Sequence, residues 1–152
     1  MIGSIINPLL EKLSDVAIDK WHNHQSFVNA RLAIRDRLRR ESKLNSELLY
    51  KIKGKKYITC ELSTKALQEV FEMPIPLKKV LDKSLAENVK NILCKNKNYK
   101  NWTENIHTES ELVERLWQRT KMLEIHVKTN QGKPNVNYVC ILNRALALSL
   151  EQ

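Results

Sequence analysis

The sequence predicts an α+β fold, mostly helical, with a β-hairpin close to its C-terminus. Three observations lead there. Apolar residues recur at three- and four-residue steps over most of the 152-residue chain, the period of helices buried on one side. Strict alternation of apolar and polar residues occurs at Leu123, Ile125 and Val127, and a second apolar run starts at Val136 beyond a polar loop. Glycine (3) and proline (4) are too scarce for an all-β fold with many tight turns. A hydrophobic fraction of 42% is enough for one core. Residues 1–49 read as an N-terminal helical arm and 50–152 as a compact domain, the two forming one folding unit.

Residues 4–21 have the pattern of an amphipathic helix, with Ile6, Leu9, Leu10, Leu13, Val16, Ala17 and Trp21 on one side. Ser4 is its candidate N-cap, and Pro8 is tolerated in the first turn. Its polar face is slightly acidic, unlike that of a membrane-surface helix. Residues 26–49 predict a second helix, with Phe27, Val28, Leu32, Ile34, Leu38, Leu44, Leu48 and Leu49 on its apolar side. Residues 50–62 predict a β element: a turn at Lys53, Gly54 and Lys55 leads into Tyr57, Ile58, Thr59 and Cys60, with 48–52 as its pairing strand.

Two helices, 65–71 and 77–93, follow around the break Met73-Pro74-Ile75-Pro76, with Thr64 as the first cap. Short helix, tight turn and longer helix is the outline of a helix-turn-helix. Residues 94–107 are an Asn/Lys-rich loop containing Tyr99 and Trp102. Thr108-Glu109-Ser110-Glu111 is a capping box that opens a helix over 108–121. Residues 122–143 predict the hairpin, and 144–150 a short final helix. A helix followed by a hairpin with a Gly-Lys-Pro tip resembles the end of a winged-helix domain. That resemblance implies a small winged-helix-like domain whose wing tip, at Lys133, touches the nucleic-acid backbone.

Charge carries the functional reading. The formal net charge is +9, from 26 Lys and Arg against 17 Asp and Glu. Residues 31–56 hold ten cations against three anions, and residues 78–100 hold seven lysines against two. Charge gathered into blocks makes a directional field, and its commonest partner is a polyanion. Arg31, Arg35, Arg39 and Lys43 are spaced by four on a helix, a row of roughly 18 Å that could track successive phosphates. The guanidinium fork suits phosphate well. The expected nucleic-acid contacts are Arg31, Arg35, Arg39, Arg40, Lys43, Lys53, Lys55, Lys56, Lys78, Lys79, Lys83 and Lys133.

The first expectation is therefore a non-enzymatic nucleic-acid-binding protein that engages phosphate backbone of DNA or RNA. A DNA-binding regulator of this kind would be a dimer, because one small module rarely reaches useful specificity. A second reading is an adaptor subunit of a larger complex, docked through the N-terminal helices. A third rests on Arg119-Thr-Lys-Met-Leu-Glu-Ile-His126, which resembles the Arg-x(4–6)-His pattern of HEPN ribonucleases. That resemblance implies metal-independent RNA cleavage by Arg119 and His126 at a helical dimer interface.

No cofactor, metal site or membrane partner is expected. His22 and His24 would diverge by roughly 200° on a helix and cannot share a metal there. Cys60, Cys94 and Cys140 are odd in number and widely spaced, with no CxxC pair. Their apolar neighbours suggest buried thiols in a reducing compartment, cytoplasmic or nucleoid/nuclear. No apolar run reaches the ~18 residues of a membrane span, and no basic n-region marks a secretory signal.

Overall fold

The computed structural model describes residues 25–52, 62–131 and 135–151. Their helices are α1 (Gln25–Ile52), α2 (Lys65–Glu72), α3 (Leu77–Val80), α4 (Glu87–Cys94), α5 (Lys100–Thr103), α6 (Glu109–Thr129) and α7 (Val136–Glu151). A 3-10 turn at Lys97–Tyr99 precedes α5. The expected helix over 4–21, the strand and turn over 53–60, and the hairpin tip at Lys133 lie outside the described residues.

α7 is the central helix. Ten of its residues are buried, from Tyr138 to Leu150, as expected of a helix that is apolar nearly all round. Its small residues Cys140, Ala145, Ala147 and Ser149 let neighbours approach closely. α1 lies along it, burying Phe27, Ala30, Ile34, Leu38, Leu49 and Ile52, with the buried polar residues Ser42 and Asn45 completing the three- and four-residue steps between Leu38 and Leu49. The two run antiparallel: Cys140 Sγ donates to the Ser46 carbonyl at 3.3 Å, while Ser149 and Arg35 meet at Glu109. α6 and α4 pack against α7 as well.

The predicted winged-helix-like α+β fold with a C-terminal hairpin is corrected to an all-helical architecture among the described residues. Residues 122–129 continue α6, and 136–143 open α7. Only Leu123 of the alternating triplet is buried, extending the series Leu112, Leu116, Thr120. Ile125 and Val127 are 56% and 53% exposed. The apolar run 136–150 is too long for a strand, and a helix with only the narrow stripe of Asn137, Ile141 and Arg144 left uncovered has little amphipathic period to reveal it. Asn130 ends α6 in the left-handed conformation, at φ 55°, its N–H donating to the His126 carbonyl at 2.7 Å. Residues 48–52, expected as a strand, are the last turns of α1.

The helix expected over 77–93 is also divided. α3 is a single turn, and the chain then runs extended past Ser84, which forms an isolated antiparallel bridge with Thr108. Leu85 N–H donates to the His107 carbonyl at 2.9 Å, and Glu109 N–H to the Lys83 carbonyl at 3.0 Å. Without a long second helix there, the helix-turn-helix outline is absent.

The capping box is present, with one change from the usual form. Thr108 Oγ1 accepts from the Glu111 N–H at 3.2 Å, but Glu111 reaches back one residue further, accepting from the His107 N–H at 3.2 Å. Cys140 is buried as expected, whereas Cys94 is exposed. Among the described residues no helix is long and apolar enough to cross a membrane.

Candidate nucleic-acid interface

The expected row of cations on α1 does not lie on one face. Each four-residue step turns a helix by about 400°, so the row drifts about 40° per step. It starts beside the core and reaches open solvent only at Lys43. Arg31 pairs with Asp82 at 2.5 Å. Arg35 is only 5% exposed and forks onto Glu109, at 2.6 and 2.9 Å. Arg37 pairs with Glu69 at 2.5 Å. Arg39 and Arg40 share Asp36, at 2.8 and 3.0 Å. The Arg39 hydrogen bond, helped by the charge of Arg40, holds the Asp36 carboxyl below its ordinary value of 3.8. Every arginine of α1 thus has an acidic partner, and Lys43 is exposed beyond them.

The other expected contacts are scattered. Lys78 lines a depression with Asp82, Glu111 and Glu114, an acidic setting that does not suit a phosphate. Lys79 is half-buried and Lys83 exposed. Lys53, Lys55, Lys56 and Lys133 lie outside the described residues.

A different group of cations converges where α7 meets the end of α4. Asn137, Ile141 and Arg144 stand at three- and four-residue steps on the one stripe of α7 that is not packed away. Opposite them, Ile92, Lys95, Asn96 and Lys97 come from α4 and the turn after it. Together these seven residues line a cleft of about 530 Å3 holding three cations and no carboxylate.

The turn that carries the lysines is held in place. Asn96 caps it, its side chain accepting from the Asn98 N–H at 2.9 Å. Tyr99 is buried and fastens the turn to the start of α7. Its hydroxyl donates to Asn135 Oδ1 at 3.1 Å and accepts from Asn137 Nδ2 at 2.9 Å. Asn135 also caps α7, accepting from the Tyr138 N–H at 2.9 Å. The backbone positions that carry the lysines and Arg144 are therefore set by packed elements on both sides, while the three side chains themselves are exposed.

Arg144 also borders a second concavity of about 520 Å3, with Ser46, Glu47, Tyr50 and Lys51 of α1. Tyr50 is 66% exposed there. Lys43, Glu47, Tyr50 and Lys51 fall on one face of α1, and Arg40 extends it. Cations of the turn after α4, of α7 and of α1 thus border two adjoining clefts that share Arg144.

Lys95, Lys97 and Arg144 were missed because they are remote in sequence and meet only through the packing of α4 on α7. One signal was available: Arg144 is the sole charged residue from Val136 to Leu150. A lone charge in such a run marks the stripe left uncovered.

Arg119 and His126 both lie on α6, seven residues apart, hence on one face and about 10.5 Å apart along the axis. The Arg119 guanidinium lies over the rings of Trp102 and Tyr138, 4.9 and 5.1 Å from their centroids. Arg115 beside it donates to the Trp102 carbonyl and to the Tyr138 hydroxyl. His126 Nδ1 is 3.1 Å from the Gln131 carbonyl oxygen. Among the described residues no group of three or more His, Cys, Asp or Glu side chains could hold a metal ion. No family model, no curated protein and no solved structure matches the chain.

Proposed function

We propose that this protein binds nucleic acid through the phosphate backbone, and that its contact surface is centred on Arg144. The observation that carries this reading is the cleft of Lys95, Lys97 and Arg144, three cations on a braced frame with no carboxylate among its lining residues. The braced backbone holds the three positions near one another, and the mutual repulsion of their charges is relieved when an anion arrives. Lys51 and Lys43 continue the surface along α1. The net charge of +9 supplies long-range attraction to a polyanion.

Fluorescence anisotropy with labelled nucleic acids, titrated with salt, tests the proposal. The expected log–log slope is about one unit per phosphate contact. Replacing Lys95, Lys97 and Arg144 together by Glu should weaken binding by tenfold or more and reduce the slope by about three. Absence of binding at low salt would overturn the reading and leave the basic surface to an acidic protein partner. Tight, salt-dependent binding that survives the triple replacement would overturn the placement at Arg144.

A further inference from the structure

Resting on that reading, we infer that the polymer is single-stranded: the cleft beside Arg144 seats one unpaired base, and Tyr50 stacks its neighbour. A duplex offers a protein its backbone and the edges of its paired bases, and readers of those edges insert a protruding helix or ribbon. This surface is concave. Its volume of about 530 Å3 falls in the range of pockets that enclose small molecules. Ile92 and Ile141 give it two aliphatic walls, which phosphates do not need and the flat face of a base does.

The two amides in the cleft complete the fit. Asn137 gives one of its two Nδ2 hydrogens to Tyr99, which leaves the other as a donor and Oδ1 as an acceptor. Asn96 spends its Oδ1 on the Asn98 N–H, which leaves Nδ2 as a donor. Amide donors and an acceptor beside apolar walls suit the Watson–Crick edge of an exposed base, and that edge is free only in a single strand. The three cations around the cleft meet the flanking phosphates.

Tyr50 lies on the other side of Arg144 and bears no core load at 66% exposure. An exposed ring next to Lys51 and Arg144 is the stacking platform of single-strand binders, where every base has a π face to offer. Arg144, which borders both clefts, then meets the phosphate that joins the two nucleotides.

The experiment is anisotropy with one short labelled oligonucleotide of mixed sequence, as single strand and as duplex, in RNA and DNA forms, with a nucleoside monophosphate as competitor. Single strand is expected to bind about tenfold tighter than duplex or more. Tyr50→Ala should remove most of that preference and Tyr50→Phe should keep it. Equal affinity for the two forms, with Tyr50→Ala silent, would overturn the single-strand inference, while sensitivity to Arg144→Glu in the same assay would leave the phosphate-binding reading standing. Competition by the monophosphate at the concentration of the oligonucleotide would also overturn it, since the cleft would then serve a free nucleotide. Failure to bind any polymer removes the underlying reading itself.

Discussion

Glu109 is fully buried, and every contact it makes is with a donor. Arg35 supplies two hydrogen bonds, Ser149 Oγ one at 2.8 Å, and the Lys83 N–H one at 3.3 Å. The Arg35 guanidinium also donates to the Val80 carbonyl at 3.2 Å. One carboxylate thereby fixes α1, α6, α7 and the extended segment after α3. A buried pair adds little over a well-packed apolar one, but breaking it leaves a stranded charge. Glu109→Ala should cost about 3–5 kcal/mol, read as a lower urea midpoint at unchanged slope. The pair Arg35→Met with Glu109→Leu should recover much of that loss. A cost under about 1 kcal/mol for Glu109→Ala would show that Arg35 finds another partner.

Glu41 acts at the same scale, as a cap supplied from another helix. Its carboxylate accepts from the Ala66 and Leu67 N–H groups, both at 2.9 Å, and from Ser63 Oγ at 2.8 Å. The sequence names Thr64 as the cap of α2, yet Thr64 makes no side-chain cap bond. The donors it would serve are taken by a charged acceptor, which the N-terminal dipole favours. Glu41→Ala should destabilise by about 1–3 kcal/mol, and Glu41→Gln by less, because the amide oxygen still accepts. Chemical denaturation of the two variants side by side checks the order.

Among elements, the turn between α6 and α7 decides whether the C-terminal third is sheet or bundle. Asn130-Gln131-Gly132-Lys133-Pro134 reads equally as a hairpin loop or as a helix stop followed by proline. The left-handed Asn130 belongs to the second. Asn130→Gly should be neutral or slightly stabilising, because glycine adopts this conformation freely. Asn130→Val should cost about 1–2 kcal/mol, with a fall in melting temperature of a few degrees. Equal stability of the two would mean that Asn130 does not hold a positive φ.

What could be read early was what is local. The capping box at Thr108 spans four residues and is visible in the sequence, whereas the apolar side of α1 is legible only in part: Phe27, Ile34, Leu38 and Leu49 are buried, but Val28, Leu32 and Leu44 are exposed. The break after α3 was hidden because Leu81, Leu85 and Val89 are all buried and keep a four-residue spacing through it. The site was hidden for the opposite reason: residues 92–97 and 137–144 have no relation until α4 packs on α7. The neutralisation of Arg39 and Arg40 was open to view, since Asp36 precedes them by three and four residues. Summing charge over a segment conceals such pairs.

At the scale of the whole molecule, function on this reading depends on which cations remain available rather than on their number. Asp36 restrains two arginines on a solvent-facing turn of α1, one turn before Lys43. Its carboxyl is held below the ordinary 3.8 chiefly by the Arg39 hydrogen bond, then by the charges of Arg40 and Arg39 acting against burial. The sign follows from the lowered value. The pairing is complete above the ordinary carboxylate range and is lost only as pH falls through the lowered one. At neutral pH Asp36 is therefore charged and both arginines are engaged. Asp36→Asn removes that anion and adds one unit of net positive charge next to the Lys43–Lys51 face. Stability should change by under about 0.5 kcal/mol, since exposed ion pairs contribute little. Nucleic-acid affinity at low salt should rise severalfold, and the salt slope should steepen by about one to two units as Arg39 and Arg40 join the contact. This direction is opposite to that of the Arg144 replacement, so the two variants bracket the surface in one titration. An Asp36→Asn protein with unchanged affinity and slope would restrict the contact to the two clefts around Arg144 and exclude the middle of α1 from it.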